Sequence, residues 1–305
     1  MRDLIQLLLF FYLASLGFLR IRRFFTAPLA GLAGPAQGDD LQNNNTVDTL
    51  PLSVIIPARN EELRLPALLE SLKHQKQKAQ EIIVVDDGST DESWKIICQY
   101  AERDARIKVL RSQDNRGASA ALNLALQDAK GEYITRQDSD DCSLPERLEK
   151  QASFLNEHAN IGAVGCNVIY VNADGLEIGV SDFPLTDEVI QPTLLDKMCF
   201  CGPTVMARRS CFQEAGFYFV DDLKTAEDYD LCLRLAEVTR LANIEAPLYR
   251  YRQHAGSVSF SKRQFQLVNK ARSLEQAILR RFGADSSSEL YQIVARDYLR
   301  AAVVG

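Results

Sequence analysis

The chain has no excess of positive charge and none of the paired cysteines that mark a zinc site. Its 305 residues include 35 Lys and Arg against 41 Asp and Glu, which gives a net charge of −6 and a pI near 5.3. A nucleic-acid partner would require a basic surface to meet the phosphates, so none is expected. The seven cysteines lack ligand spacing, and no histidine lies near Cys199 and Cys201. Reduced, buried thiols in the cytosol fit this pattern better than zinc.

Common nucleotide-binding fingerprints and internal repeats are also missing. No turn after a predicted strand contains Gly-x-Gly-x-x-Gly or Gly-x-x-x-x-Gly-Lys-Ser/Thr, so a dinucleotide-binding motif and a P-loop are disfavoured. There is no solenoid repeat and no long low-complexity segment. The 46% of hydrophobic residues is enough to bury a full core, which indicates a folded, globular protein.

The main apolar run near the N-terminus is short for a membrane span. Residues 4–19 contain no charge, and Arg20, Arg22 and Arg23 follow them, whereas a spanning helix needs about 20 residues. A signal peptide usually carries its positive charge before the apolar stretch. We predict a membrane anchor or in-plane helix over residues 1–25, with a signal peptide or a buried soluble helix as alternatives. Arginines on the inner side would place the rest of the chain at the cytoplasmic face of the cell membrane.

Residues 26–50 are rich in Ala, Gly, Pro, Gln and Asn and predict a flexible linker. A folded domain is then predicted over residues 51–260, where short β-branched runs alternate with segments of helical spacing. The predicted strands, each followed by a helix, lie at 52–56, 82–85, 107–110 and from 133 onward. Ser89 with Glu92, and Ser143 with Glu146, have the spacing of helix capping boxes. This alternation indicates an α/β fold with a mainly parallel sheet covered on both faces.

Beyond residue 163 the pattern changes. Residues 164–171, a turn at 172–175 and a run around Ile178 predict a hairpin, so the C-terminal half of the sheet should be mixed. A helix predicted at 227–237 begins with acidic residues, as the helix dipole prefers. Amphipathic spacing predicts two more helices, in a C-terminal helical extension over residues 261–305, at 260–282 and 286–304.

Three acidic clusters carry most of the functional information: Asp86-Asp87-Gly88-Ser89, Asp138-Ser139-Asp140-Asp141 and Glu227-Asp228. The first two directly follow strand-like runs, where an open α/β sheet gathers its ligand-binding residues. Carboxylates that converge in this way need a cation. A cation at this position in turn suggests a phosphorylated substrate.

The second cluster has the Asp-x-Asp spacing of a metal site. On a continuing strand, Asp138 and Asp140 would face the same side and Ser139 the other. Carboxylate oxygens suit Mg²⁺ or Mn²⁺, and such an ion would stabilise a departing diphosphate. A bare Asp-x-Asp is a weak motif, and a solvated turn that caps the next helix is the alternative. The position after a strand and the two partner clusters favour the metal.

The other clusters suit nucleotide binding and proton transfer. Asp87 is placed to accept hydrogen bonds from a nucleobase or ribose, with Gly88 allowing close approach of the ligand, although capping by Ser89 would also account for the cluster. Asp228 is able to act as a general base, although acids at a helix start are also explained by the dipole. His254 is either a further metal ligand or phosphate donor, or an ordinary loop histidine.

Taken in order, several segments resemble the motifs of family 2 glycosyltransferases over about residues 51–259. They are SVIIPARNE at 53–61, VVDDGSTD at 84–91, NRG at 115–117, DSDD at 138–141 with PERL at 145–148, and EDYD at 227–230. The resemblance implies a GT-A fold, a nucleotide-diphosphate sugar donor, Mn²⁺ or Mg²⁺, and inversion at the anomeric carbon. It implies that Asp87 contacts the base, Asp138 the ribose or metal, Asp140 the metal, and His254 the metal or diphosphate. It further implies that Asp228 is the catalytic base with Glu227 beside it, and that Pro57, Arg59 and Glu61 lie at the nucleotide pocket.

Two positions depart from the family pattern. Leu122 stands before Asn123 where many members have arginine, so Arg116 is the candidate substitute for the donor-phosphate contact. Gln137 stands where an apolar residue is common.

The leading hypothesis is a metal-dependent inverting glycosyltransferase that acts on a carbohydrate or lipid-linked acceptor in surface polysaccharide or glycolipid biosynthesis. A catalytically silent nucleotide-sugar-binding scaffold of an envelope assembly is the alternative. A nucleotidyltransferase would need a glycine-rich basic loop near the first strand, and Ala58-Arg59-Asn60 is not one.

Overall fold

The computed structural model describes residues 49–216, 225–254, 256–257 and 263–282. The predicted N-terminal anchor, the linker up to residue 48 and the predicted helix at 286–304 lie outside these residues. The described helices are α1 (Leu65–Lys73), α2 (Ser93–Ala101), α3 (Ala118–Asp128), α4 (Arg147–Glu157), α5 (Asp187–Leu194), α6 (Arg209–Ala215), α7 (Glu227–Val238) and α8 (Arg263–Phe282). Within this part of the chain, every helix is too short or too polar to cross a membrane.

One sheet organises the described part of the chain. Its strands are β1 (Thr49–Ala58), β2 (Lys78–Asp87), β3 (Ile107–Ser112), β4 (Tyr133–Arg136), β5 (Cys142–Ser143), β6 (Ile161–Val171), β7 (Glu177–Val180), β8 (Met206–Arg208) and β9 (Arg240–Arg252). Their order is β3-β2-β1-β4-β8-β6-β9-β5, and β7 pairs with β6. Strands β1 to β4 run parallel, whereas β8 is antiparallel to β4 and β6, and β6 and β7 form the expected hairpin. The predicted parallel first half and mixed second half are confirmed.

Helices cover both faces of the sheet, as the apolar strands predict. Ile55 and Ile83 pack toward Leu122 of α3 on one face. Their strand neighbours Val54 and Val84 pack on the other face, in the cluster that also contains buried leucines of α1 and α4. Each such side chain, when fully buried, stabilises the fold by roughly 1.5–3 kcal/mol. Because Leu122 is completely buried, it serves the core at the position where an arginine was noted as missing.

Both predicted capping boxes are wrong, because the Ser89 hydroxyl bonds to the loop after β1 and the Ser143 hydroxyl bonds to Gln137, which precedes β5. The Ser89 hydroxyl accepts the Asn60 N–H at 3.0 Å, and α2 begins only at Ser93. Ser143 lies in β5, and its hydroxyl donates to Gln137 Oε1 at 2.6 Å. Neither α2 nor α4 has a side-chain hydrogen bond at its cap residue.

Candidate active site

The predicted site residues follow strands that end at one edge of the sheet. Strands β1, β2 and β4 are parallel, so the segments after Ala58, Asp87 and Arg136 emerge side by side. Hydrogen bonds join the loop after β1 to the loop after β2. Thr90 N–H donates to Asn60 Oδ1 at 2.9 Å, in addition to the Asn60–Ser89 bond. Asn60 has a φ of 54°, a left-handed conformation that asparagine tolerates better than most residues. Of the predicted nucleotide-pocket residues here, Pro57 is buried and Arg59 is exposed.

The Asp87 carboxylate holds the turn that precedes α3. Its two oxygens accept the backbone N–H groups of Arg116 at 2.8 Å and Gly117 at 2.7 Å. Gly117 has a φ of 92°, which suits glycine, and begins the helix. The Arg116 side chain is exposed and lines an open cavity of about 540 Å³ beside β3, together with Arg111 and Leu124. Asp87 therefore shapes the backbone of the turn before α3 in addition to any ligand contact.

The Asp-x-Asp segment does not continue the strand, so the predicted strand alternation is wrong. Strand β4 ends at Arg136, and the chain turns at Ser139 and Asp140. Arg136 is only 9% exposed; its Nε lies 2.6 Å from Asp138 Oδ1, and its Nη1 lies 3.1 Å from Glu227 Oε1. One guanidinium therefore joins the acidic turn to the start of α7.

The acids of this cluster perturb one another. Burial raises the pKa of the Asp138 carboxyl; Arg136 lowers this pKa, and the charges of Asp140 and Asp228 raise it further. Burial also raises the pKa of Glu227, against the lowering effect of Arg136. Because Arg136 contacts both Asp138 and Glu227, the second and third acidic clusters lie in one site.

Strand β9 brings His254 to the acidic turn. His254 Nε2 lies 3.1 Å from Asp140 Oδ2, and the backbone N–H of Arg252 donates to Asp141 Oδ1 at 2.7 Å. Burial raises the pKa of Glu61, and the Asp140 charge adds to the rise. The structure thus gathers six of the predicted site residues, namely Glu61, Asp138, Asp140, Glu227, Asp228 and His254.

Asp228 lies in the first turn of α7. The chain enters this helix through Ala226, whose φ of 63° is left-handed and costs roughly 1 kcal/mol for a residue with a β-carbon. Asp228 Oδ1 accepts the N–H of Tyr229 at 2.8 Å. Strained backbone of this kind is common at functional positions.

Arg147 was not predicted as a site residue, although it bonds to Arg136 and Gln137, the two residues directly before the acidic turn. Its side chain is completely buried, and its guanidinium lies 4.8 Å from the centroid of the Tyr249 ring. The nitrogens donate to six acceptors, which are Thr135 Oγ1, the Arg136 and Pro203 carbonyls, Gln137 Oε1, Ser143 Oγ and Gln151 Oε1. The sequence did contain one indication of Arg147's role, namely a polar residue, Gln137, where an apolar one is common. A buried glutamine needs a hydrogen-bond partner in the interior, and Arg147 is that partner.

A cation would find only part of its ligand set in the protein. In the described part of the chain, no three His, Cys, Asp or Glu side chains are grouped so that they could hold a metal ion. At the acidic turn, Asp140 and His254 form a pair of possible ligands, whereas Asp138 is paired with Arg136. Mg²⁺ sites commonly have one or two protein carboxylates and complete their coordination with substrate phosphates and water, so this donor set fits a phosphate-bridging ion.

Comparisons with known proteins place the chain in a family. The model described as "Glycosyl transferase family 2" matches residues 53–216. EpsE of Bacillus subtilis is 35% identical over 259 residues, which cover 82% of this chain and 88% of EpsE. The chain belongs to glycosyltransferase family 2. WfaP of Escherichia coli, named as a UDP-Glc:alpha-D-GlcNAc-diphosphoundecaprenol beta-1,3-glucosyltransferase, is 32% identical to this glycosyltransferase over 212 residues, covering 69% of it and 80% of WfaP.

The fold of this glycosyltransferase is GT-A. The crystal structure of residues 1–349 of Staphylococcus aureus TarS in complex with UDP-GlcNAc superposes with a TM-score of 0.63 and 25% identity. The match covers 81% of this chain and 71% of that one. The expected fold class, an α/β GT-A fold with a mixed second half of the sheet, is confirmed.

Proposed function

We propose that this protein is a metal-dependent inverting glycosyltransferase. It moves a sugar from a nucleotide-diphosphate sugar to a hydroxyl of a carbohydrate or lipid-linked acceptor, in surface polysaccharide or glycolipid biosynthesis at the cytoplasmic face of the cell membrane. The observation that carries the proposal is the Arg136 guanidinium, which joins Asp138 of the acidic turn to Glu227, the chain neighbour of Asp228. A proton acceptor and a diphosphate-binding group therefore belong to one cluster.

Asp228 is the general base in this proposal. Its carboxylate takes the proton of the acceptor hydroxyl, and the oxygen attacks the anomeric carbon from the face opposite the nucleoside diphosphate. The bond from the anomeric carbon to the diphosphate oxygen breaks as the new glycosidic bond forms, which inverts the configuration. Glu227, paired with Arg136, keeps the start of α7 against the acidic turn.

Asp140 and His254 would hold the cation, and Asp138 would contact the ribose or the same ion. When bound, Mn²⁺ or Mg²⁺ neutralises charge on the departing diphosphate. Pro57, Arg59, Glu61 and Asp87 belong to the nucleotide pocket, and Arg116 is the candidate for a donor-phosphate contact. Two relatives support a UDP-sugar as the first donor to test, since TarS was crystallised with UDP-GlcNAc and WfaP is named for UDP-Glc and a lipid-diphosphate-linked acceptor.

A screen of UDP-sugars with Mn²⁺ tests the proposal by measuring donor hydrolysis and transfer. Activity should disappear with chelator and return when Mn²⁺ is added. Asp228→Asn should lower kcat by about 10²- to 10⁴-fold, the range of general-base catalysis, while UDP binding persists. Asp174→Asn, in the exposed hairpin turn, is the matched control and should remain fully active.

Full activity of Asp228→Asn would exclude this residue as the base. Retained activity in chelator would remove the metal from the proposal. Nucleotide and metal binding without transfer to any acceptor would support the scaffold alternative.

A further inference from the structure

Gly202 lies directly against the side chain of Asp228. It begins a short 3₁₀ turn, Gly202–Thr204, in which all residues are buried. A β-carbon added to Gly202 would lie 2.5 Å from Asp228 Oδ2 and 2.7 Å from Asp228 Cβ. Carbon atoms that are not bonded to each other are normally about 3.5–4.0 Å apart in proteins. The φ of Gly202 is outside the left-handed region, so what requires glycine here is space and not backbone conformation.

The turn is held in place from behind. The Pro203 carbonyl accepts from Arg147 Nη2 at 2.7 Å, and the Thr204 carbonyl accepts from Gln151 Nε2 at 2.8 Å. The Thr204 hydroxyl donates to the Cys201 carbonyl at 2.7 Å. A larger residue at position 202 would have to break these buried bonds to move away.

The start of α7 is held in place as well. Glu227 is paired with Arg136 on one side of Asp228, and on the other side the Tyr229 hydroxyl donates to the Leu194 carbonyl at 2.7 Å. Rotation about the side-chain bonds moves the carboxylate of Asp228 but not its β-carbon, which is fixed by the backbone. A methyl group on residue 202 therefore displaces the carboxylate, the first turn of the helix, or both.

We propose that Gly202 is a positioning residue for Asp228, which by its lack of a side chain fixes where the proton-accepting carboxylate stands. The inference rests on the proposed function, in which Asp228 is the general base. Displacement of a reacting group by about 1 Å costs on the order of 100-fold in rate. Gly202→Ala should therefore lower kcat by about 100-fold, with the KM for the donor and the Kd for UDP nearly unchanged.

A double-mutant cycle with Asp228→Asn tests the proposal. If Gly202 acts through Asp228, Gly202→Ala should cost about 100-fold in the wild-type background and nothing further in the Asp228→Asn background. Gly179→Ala is the matched control, because Gly179 lies in the exposed hairpin and a β-carbon there meets no atom closer than 4.0 Å. An equal loss in both backgrounds, or a fully active Gly202→Ala, would overturn the proposal. A fully active Asp228→Asn would instead refute the proposed base.

Folding of the variants supplies a second readout. If Gly202→Ala fails to fold, the double variant that carries both Gly202→Ala and Asp228→Gly should fold, because the second substitution removes the side-chain atoms that clash. Thermal unfolding of the purified double variant measures this recovery. Failure of the double variant to fold would show that the obstacle at position 202 is not Asp228, and the proposal would be wrong.

Discussion

Arg147→Met is expected to destabilise the protein strongly, although the completely buried Arg147 side chain does not contact the substrate. The substitution keeps most of the volume but removes five N–H donors from a site with no solvent access. The carbonyls of Arg136 and Pro203, which accept at 3.0 and 2.7 Å, lose a buried donor. An unsatisfied buried acceptor costs about 1–3 kcal/mol. The cation–π contact with the Tyr249 ring adds up to about 2 kcal/mol.

Relief from burying an isolated cation offsets part of this loss. The net decrease in the free energy of unfolding is therefore about 3 kcal/mol, a large fraction of the roughly 5–15 kcal/mol of a typical domain. With a urea m-value of about 3 kcal/mol/M for a domain of this size, the denaturation midpoint should fall by about 1 M. Urea unfolding followed by far-UV circular dichroism measures this shift.

Arg250→Met is the matched control. Arg250 is 41% exposed and pairs with Glu177 at 2.8 Å on the surface, where an ion pair contributes only about 0–1 kcal/mol. Its midpoint should stay close to that of the wild type. If Arg147→Met unfolds at the same urea concentration as the control, the buried guanidinium is not a structural centre of the site, and the reasoning from its contacts fails.

Two further predictions concern ligands. Asp87→Asn should weaken UDP binding about tenfold with little change in kcat at saturating donor, because one charged hydrogen bond to the backbone of the turn at Arg116 and Gly117 is lost; unchanged affinity in isothermal titration would count against this. Arg136→Gln should tighten Mn²⁺ binding about tenfold in the absence of donor, because it removes a positive charge next to Asp138; weaker binding in a metal titration would contradict the electrostatic reasoning.

The sheet was predictable because its strands are buried on both faces. Parallel strands covered by helices are apolar throughout, so β1 to β4 are visible as β-branched runs between helical segments. Their ends were less visible. Strand β1 begins at Thr49 and not at Leu52, because its first residue already pairs with Lys78 of β2. Backbone pairing extends a strand beyond its apolar residues, and no local pattern marks where it stops.

The caps failed because tertiary contacts outcompeted local ones. Ser89 and Ser143 have the correct spacing for capping boxes, yet both hydroxyls bond across the loops of the site. A serine that is worth about 1 kcal/mol at a helix end serves equally well to join two loops. The sequence alone does not distinguish the two uses, because the competing partners, Asn60 for Ser89 and Gln137 for Ser143, are brought into contact only by the fold.

The convergence of the acidic residues was predictable from the topology of the sheet. The arginines that hold these residues and their turn in place were not predictable. Parallel strands end at one edge, so carboxylates after β1, β2 and β4 had to lie close together. Arg136 carried no such signal, since an arginine beside acids in sequence usually suggests a solvated surface. Arg147 lies in the PERL segment at 145–148, but the motif alone does not show that its guanidinium is buried. Gln137, which stands where an apolar residue is common, was the residue that pointed to a buried polar network. It is completely buried and donates to Tyr249 Oη at 2.9 Å, in the same network that holds Arg147.

Within the proposed function, the two arginines give a physical reason for a cation at the site. An acidic chain that handles an anionic substrate has to supply positive charge locally, but Arg136 is engaged by Asp138 and Glu227 and Arg147 is sealed beneath the turn. Arg136 holds two carboxylates and Arg147 holds backbone carbonyls, whereas the group found against Asp140 is the His254 ring. A diphosphate approaching these acids would be repelled unless a divalent ion stood between the two negative groups. If the proposed function is right, donor binding should therefore depend on a divalent ion, and UDP should bind more weakly in the presence of chelator.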